Sequence, residues 1–320
     1  MSKRFSLFSV MAIASLWSVA QPVNAQALIP HVLQLDQDQL EQQGLGLAQE
    51  ALQLAQFQQF DLALARAELA SQLVPGNAQV WALLGGLYLQ LKQIDPGIQA
   101  LLKADSLEKN NAEIMFNLGS AYFRKGDYET AIRYIQTGLK LKPETLGALF
   151  DLGNAYYKLT RYDDAIAQYE KAVKLDAKFW PAINNIGLVL FEQGKAAEAV
   201  KKWKEAVAID DTQPESKLAI AVALNAKGDT TQALSFGQSA LKIDYRYGDI
   251  EYLQENLWGD RMIARARTFL ALPPIRDLIS QLRAAPPQID QTPEPGAPTL
   301  TPAPMTPAPI TPAPITPAPR

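Results

Sequence analysis

The chain contains no cysteine and only one histidine, His31. Without thiols it cannot form disulfides, thiolate zinc sites or a cysteine nucleophile, and it has no cysteine to carry a lipid anchor. A serine-nucleophile elbow and a phosphate-binding glycine loop are also missing from the sequence. We therefore expect no enzymatic activity, no catalytic residue, no cofactor and no metal site.

The chain also lacks an excess of positive charge. It has 30 basic and 33 acidic residues in 320, and its net charge is −3. This balance gives no electrostatic basis for binding nucleic acid, so we expect no nucleic-acid partner and no small-molecule substrate. Hydrophobic residues make up 48% of the chain, which is ordinary for a protein with a folded core.

Long apolar runs are absent except near the start of the chain. Lys3 and Arg4 precede the uncharged apolar segment 5–20, and small residues end at Ala25 before Gln26. This order is typical of a secretory signal peptide, predicted over residues 1–25 and cleaved after Ala25. We expect export to the periplasm or a thylakoid lumen. The alternative is an uncleaved N-terminal signal that anchors the protein.

The middle of the chain repeats with a period of 34 residues. Leu-Gly-x-x-Tyr starts at residues 84, 118 and 152, and Ile186-Gly187-x-x-Leu190 follows one period later. Alanines recur at the same step at 131, 165, 199 and 233. A generic helical bundle has apolar periods near 3.6 residues and does not predict recurrence at 34 residues.

Each period has the composition of two helices joined by a turn. Large apolar residues recur every three or four positions in the first helix of each period, helix A. Gly119 is a small residue that permits close approach of the second helix, helix B. Breakers separate the helices at Gly126-Asp127, at Asp95-Pro96-Gly97 and at Gly228-Asp229, and Asp127 and Asp229 are positioned to cap the following helix.

The pattern resembles the tetratricopeptide repeat (TPR) family. The unit 146–179 carries the family's large, small and aromatic residues at Leu149, Leu152, Gly153, Tyr156 and Tyr169. The resemblance implies an all-α fold, a right-handed superhelical solenoid of helix–turn–helix repeats. The predicted repeats are 44–77, 78–111, 112–145, 146–179, 180–213 and 214–247.

The segments that flank the repeats have different compositions. Residues 26–43 form an N-terminal lead-in, and 248–283 carry enough apolar residues for C-terminal capping helices. The run from Asn256 to Leu282 is similar to a tail of cyanobacterial exported repeat proteins. Residues 284–320 are rich in proline and contain copies of Thr-Pro-Ala-Pro. Such a sequence cannot form a helix or a sheet ladder, so we expect a disordered proline-rich tail.

The family resemblance also implies a binding surface. Members hold peptides with helix A residues that line a concave groove, and the matching positions here combine amides with aromatic rings. The predicted peptide-binding groove comprises Phe116, Asn117, Phe123, Arg124, Phe150, Asp151, Asn154, Tyr157, Lys158, Asn184, Asn185 and Phe191. Phe150, Glu215 and Ala219 stand where one subfamily has basic residues, so we exclude binding of a terminal carboxylate.

These observations predict an exported scaffold that binds an extended peptide segment of a protein partner. The resemblance implies a role in assembling or organising a membrane or envelope complex. The alternative is a structural protein, a self-associating solenoid or an envelope-linked spacer whose Thr-Pro-Ala-Pro tail provides reach.

Overall fold

A computed structural model describes residues 36–284. From Asp38 onward these residues belong to one compact unit. Every regular element within these residues is a helix, which confirms the all-α class. The predicted signal peptide, most of the lead-in and residues 285–320 of the predicted tail lie outside the described residues. None of the described helices combines the length and the apolar character that crossing a membrane requires.

Twelve of the described helices alternate between the A and B types. The A helices are α1 (Gln37–Gln56), α3 (Ala78–Gln90), α5 (Ala112–Lys125), α7 (Leu146–Lys158), α9 (Trp180–Glu192) and α11 (Pro214–Lys227). The B helices are α2 (Phe60–Leu73), α4 (Ile94–Leu107), α6 (Tyr128–Leu141), α8 (Tyr162–Leu175), α10 (Ala196–Ile209) and α12 (Thr230–Ile243). From α3 onward, each A helix packs between the preceding and the following B helix, and this stacking makes the unit a solenoid.

Local chemistry sets many of the helix boundaries. The side chains of Asp127 and Asp229 accept hydrogen bonds from backbone N–H groups and begin α6 and α12, as predicted. Gly126 and Gly228 have φ values of +87° and +95° and end α5 and α11. Glycine reaches this left-handed conformation without the steric penalty that a Cβ brings.

One predicted turn is wrong. Asp95-Pro96-Gly97 lies in the first turn of α4, which begins at Ile94. Proline is tolerated there because its missing N–H would have had no partner within the helix. Gly97 serves packing, since a Cβ at this residue would lie 3.1 Å from the carbonyl oxygen of Gly85 in α3.

Glycines on the A helices allow large residues on the B helices to come close, as predicted for Gly119. A Cβ at Gly119 would lie 2.4 Å from the Ile135 side chain, and a Cβ at Gly153 would lie 2.4 Å from the Tyr169 ring. A Cβ at Gly187 would similarly lie 2.4 Å from the Trp203 ring. These contacts form the core of each repeat.

The chain continues past the last B helix and turns back. A 3-10 helix (Tyr245–Gly248) is followed by α13 (Ile250–Glu255), α14 (Asp260–Leu270) and α15 (Pro273–Ala284). Helix α15 packs against α12, whereas α14 packs against the A helices α9 and α11. The last B helix has Gly237 where the two preceding repeats have Trp203 and Tyr169, and a Cβ there would lie 2.3 Å from the Phe269 ring of α14. Phe269 therefore fills the space in the last repeat that is left by the missing aromatic side chain.

Candidate functional site

The predicted groove residues differ widely in exposure. Eight of the twelve are buried: Phe116, Phe150, Asp151, Asn154, Tyr157, Asn184, Asn185 and Phe191. Asn117, Phe123 and Arg124 are half-buried, and Lys158 is exposed. Most of these side chains are therefore less accessible than contact with a bound peptide would require.

The aromatic members of the predicted set serve mainly as core residues. The Phe116 ring lies against Gly138 of α6, where a Cβ would be 2.4 Å away. The Phe191 ring centroid lies 5.9 Å from that of Trp203. Packing against the B helix, rather than contact with a partner, therefore explains these two side chains, and this corrects the expectation that they line an open groove.

The amides of α7 and α9 form a buried network. Asn154 Oδ1 accepts hydrogen bonds from the Tyr169 hydroxyl at 2.7 Å and from Asn185 Nδ2 at 2.9 Å. Asn184 Oδ1 accepts one from the Ser216 hydroxyl at 2.7 Å, and its Nδ2 donates to Asn185 Oδ1 at 3.2 Å. The network joins α7, α8, α9 and α11, so these amides stabilise the packing of successive repeats.

Some hydrogen-bonding capacity on this surface is not satisfied within the described residues. Asn117 Oδ1 on α5, and Asp151 Oδ1 and Asn154 Nδ2 on α7, are buried atoms without a hydrogen-bond partner. Buried polar atoms normally have a hydrogen-bond partner, because a buried donor or acceptor without one costs about 1–3 kcal/mol. These atoms lie on two neighbouring A helices, where the Tyr157 hydroxyl of α7 also lacks a partner among the described residues. They mark this area, the α5–α7 floor, as a place where a ligand could supply the missing partners.

Asp151 carries the carboxyl group of the α5–α7 floor. Its side chain is only 8% exposed, and burial raises its pKa to about 8, while the Arg124 guanidinium acts in the opposite direction. Arg124 itself donates from Nη1 to the carbonyl oxygen of Leu89 at 2.9 Å, and burial lowers its pKa. Near neutral pH the Asp151 carboxyl group is therefore largely protonated and neutral.

The C-terminal segment 256–262 lies on the A helices at the other end of the groove. Glu192 on α9 accepts hydrogen bonds from the backbone N–H of Met262 at 2.8 Å and of Arg261 at 3.1 Å, and so caps the start of α14. The Trp258 indole N–H donates to Glu215 Oε1 on α11 at 3.0 Å. A Cβ at Gly259 would lie 2.5 Å from the Glu192 carboxyl carbon, so a larger residue there would displace the carboxylate that caps α14.

The segment 256–262 covers part of the predicted groove. Asn256 and Leu257 line a narrow cleft together with Phe150, Asn185 and Glu215. Burial raises the pKa of Glu215 to about 7, although the Trp258 hydrogen bond opposes the shift. Asn184, which we predicted as a peptide contact, lines the same cleft and is therefore covered by the chain itself.

Sequence reasoning missed this return of the chain. The run Asn256-Leu257-Trp258-Gly259-Asp260 stands out in composition, but the contacts join residues up to 70 positions apart. Gly237 was the available signal, because a repeat that lacks its core aromatic residue needs a substitute from elsewhere.

Comparisons with known proteins identify the repeats. Residues 31–178 match the family model of the cytochrome c-type biogenesis protein H TPR domain. Residues 150–214 and 184–248 match a tetratricopeptide repeat model. No curated protein sequence matches the chain significantly.

Solved structures show the same fold. PilW, a widely conserved type IV pilus biogenesis factor, superposes with a TM-score of 0.59 at 21% identity, covering 64% of this chain and 94% of PilW. PilF of Pseudomonas aeruginosa superposes with a TM-score of 0.55 at 18% identity, covering 68% of this chain and 97% of PilF. A MamA protein is 26% identical over 54% of this chain and 93% of its own, with a TM-score of 0.49. At these identities the likeness to PilW and PilF concerns the fold alone.

Proposed function

Because the chain belongs to the tetratricopeptide repeat family, whose modules generally mediate protein–protein interactions, we propose that it is a scaffold that holds an extended segment of a partner protein on the α5–α7 floor. The unsatisfied polar atoms of Asn117, Asp151 and Asn154 carry this proposal. An extended peptide offers a backbone donor or acceptor at every residue, which suits a surface of amides and a carboxyl group.

The proposal places the partner on α5 and α7 rather than along the whole groove. On α9 and α11 the segment 256–262 already uses Glu192 and Glu215 as hydrogen-bond acceptors. Beside the α5–α7 floor, Phe123 is half-buried and Lys158 is exposed, so both can contact a bound segment. The partner's reach along the groove then ends where the C-terminal segment begins.

The scaffold acts by binding and has no catalytic activity of its own. This part of the proposal is supported by the family, whose members generally serve as interaction modules. A cofactor or a turnover activity that copurifies with the protein through every step would contradict it.

We place the scaffold outside the cytoplasm, in the periplasm or a thylakoid lumen, where it helps assemble or organise a membrane or envelope complex. The order of Lys3 and Arg4, the apolar segment 5–20 and Ala25 supports this location. N-terminal sequencing of the protein from cells tests it. A chain that begins at Gln26 is expected, whereas an intact N-terminus in the membrane fraction would support the uncleaved anchor instead.

The structure guides the choice of variants for a binding test. Asn154 and Asn185 hold the buried amide network, so their replacement would weaken the fold as well as any binding. Asn117→Ala and Phe123→Ala instead alter half-buried side chains of the groove surface. Gln99→Ala, which removes an exposed amide from the B helix α4, is the matched control.

The test measures recovery of crosslinked partners by mass spectrometry. We expect the Asn117→Ala/Phe123→Ala double variant to lose the partner that the wild type and Gln99→Ala recover. Equal recovery by all three proteins would remove the α5–α7 floor from the proposal.

A second candidate function is self-association, favoured by apolar residues on the first repeat. Phe57, Leu62 and Leu69 are 75%, 58% and 43% exposed, and the first two are the most exposed large apolar side chains of the described residues. If the solenoid associates through this end, Leu62→Ser/Leu69→Ser converts oligomers to monomers in light scattering. A wild-type monomer at high concentration contradicts this candidate.

A further inference from the structure

Asp151 lies at the centre of a row of polar side chains. Asn117, Asp151 and Asn185 occupy the same position in successive repeats, so each side chain projects from an A helix at an equivalent place. Asn185 donates its amide hydrogen to Asn154 and is engaged in the network. Asn117 and Asp151 each keep one buried oxygen without a donor.

The missing partners on the α5–α7 floor have a definite chemistry. Asn117 Oδ1 is an acceptor, Asp151 Oδ1 is an acceptor once the carboxyl group is ionised, and the two atoms lie on neighbouring A helices. A lysine ammonium offers three N–H donors, an arginine guanidinium offers five, and neither accepts a hydrogen bond. Asn154 Nδ2 is an unsatisfied donor and requires an acceptor such as a peptide carbonyl, and the Tyr157 hydroxyl, which also lacks a partner among the described residues, can donate or accept.

We propose that the α5–α7 floor reads a lysine or arginine side chain in the partner's extended segment, with Asp151 as its counter-ion. Asn117 Oδ1 accepts a second hydrogen bond from the same cationic group, and Asn154 Nδ2 donates to a backbone carbonyl of the segment. This inference rests on the proposed function and names the partner chemistry that the function requires.

Electrostatics supports a cation at this place. The titratable groups that interact with Asp151 in the described part of the chain are Arg124 from α5 and Tyr169 from α8. Burial outweighs the attraction of Arg124, so the free protein holds the Asp151 carboxyl mostly protonated near neutral pH. A second cation adjacent to the carboxyl favours its ionised form, and the resulting charge-assisted hydrogen bond is stronger than a neutral one.

The same arrangement discriminates against other segments. A leucine at this place would leave Asn117 Oδ1 without a donor, and a glutamate would add a further acceptor beside it. Recognition therefore depends on one basic residue at a fixed place in the segment, with the positions around it less restricted.

Selection from a random dodecamer peptide library against the full chain tests the proposal. We expect the selected peptides to share a lysine or an arginine at one aligned position. Calorimetry on one such peptide should show that Asp151→Asn weakens binding by about tenfold to a hundredfold, the range for a charge-assisted hydrogen bond. Asp61→Asn, at an exposed residue of α2, makes the same chemical substitution and should leave affinity within about twofold.

A change on the peptide side completes the test without relying on the stability of the variant. Replacing the shared lysine by norleucine, or the arginine by citrulline, should weaken binding to the wild type but not further weaken binding to Asp151→Asn. Two outcomes overturn the recognition of a cation while leaving groove binding intact. Either the selected peptides share no basic residue, or the peptide change weakens binding to the wild type and to Asp151→Asn by the same factor. Failure to select any peptide that competes at the groove overturns the proposed function itself.

Discussion

Replacing Asp151 by asparagine should stabilise the protein in a way that depends on pH. An unperturbed aspartic acid has a pKa of 3.8, which applies to the unfolded chain. In the folded protein the pKa of Asp151 is about 8, because burial disfavours the charged form. Between these values the folded state binds more protons than the unfolded state, so the stability contributed by the group falls as pH rises. Below about pH 4 both states are protonated, and above about pH 8 the full penalty is present.

The magnitude follows from the size of this window. It spans about four pH units, and about 1.4 kcal/mol for each unit gives an upper limit of roughly 6 kcal/mol. Relaxation of a folded protein around a buried charge reduces this penalty, so we expect Asp151→Asn to gain about 2–5 kcal/mol at pH 8. At pH 4 the two proteins should differ by less than about 1 kcal/mol, because asparagine and a neutral aspartic acid have nearly the same size and polarity.

Urea denaturation followed by helical circular dichroism at pH 4, 6 and 8 measures this effect. The quantity to compare is the midpoint, because repeat arrays do not always unfold in one step. Glu215→Gln is an internal comparison with a narrower window, since the pKa of Glu215 rises from 4.5 only to about 7. If Asp151→Asn is less stable than the wild type at pH 8, the carboxylate is ionised and favourably paired, and the reasoning about its burial is refuted.

Three further substitutions test the packing of the solenoid and its C-terminal segment. Phe269→Ala should lower stability by about 3–5 kcal/mol in chemical denaturation, because the ring fills the last repeat; a loss below about 1 kcal/mol would contradict this role. Glu192→Gln weakens the two hydrogen bonds at the start of α14, so amide hydrogen exchange should accelerate there and not in Glu170→Gln, an exposed residue of α8. Gly153→Ala should cost about 1–3 kcal/mol, whereas Gly147→Ala in the same helix, with no atom near its Cβ, should stabilise the helix by about 0.5–1 kcal/mol. Equal melting temperatures for these two glycine variants would refute the close approach of the A and B helices.

The repeat architecture could be predicted from sequence because its determinants are local. Leu118, Gly119 and Tyr122 recur at a fixed step, and the caps at Asp127 and Asp229 lie within three residues of the N–H groups that they accept from. The turn at Asp95-Pro96-Gly97 was wrong because proline and glycine also occur in the first turn of a helix. The position of these residues within the 34-residue repeat, rather than their composition, decides whether they form a turn or the start of a helix.

The groove was predicted less well, for two physical reasons. Whether a large helix A side chain such as Phe116 faces the groove or the core depends on what stands opposite, and Gly138 leaves room for the ring in the core. The positions of Trp258 and α14 depend on long-range hydrogen bonds to Glu215 and Glu192. No local sequence pattern encodes these contacts. Asp151 could be identified as a polar groove residue, but its burial could not, and burial is what gives its carboxyl group an unusual pKa.

The most direct test of the central claim is to map a bound segment on the α5–α7 floor. Titrating a selected peptide into the 15N-labelled chain and following the side-chain amide resonances in NMR spectra reports on this surface. We expect the side-chain amide resonances of Asn117 and Asn154 to shift during the titration and to stop shifting at the peptide concentration that saturates binding. Saturated binding with these two resonances unchanged, and shifts confined to the B helices, would contradict it.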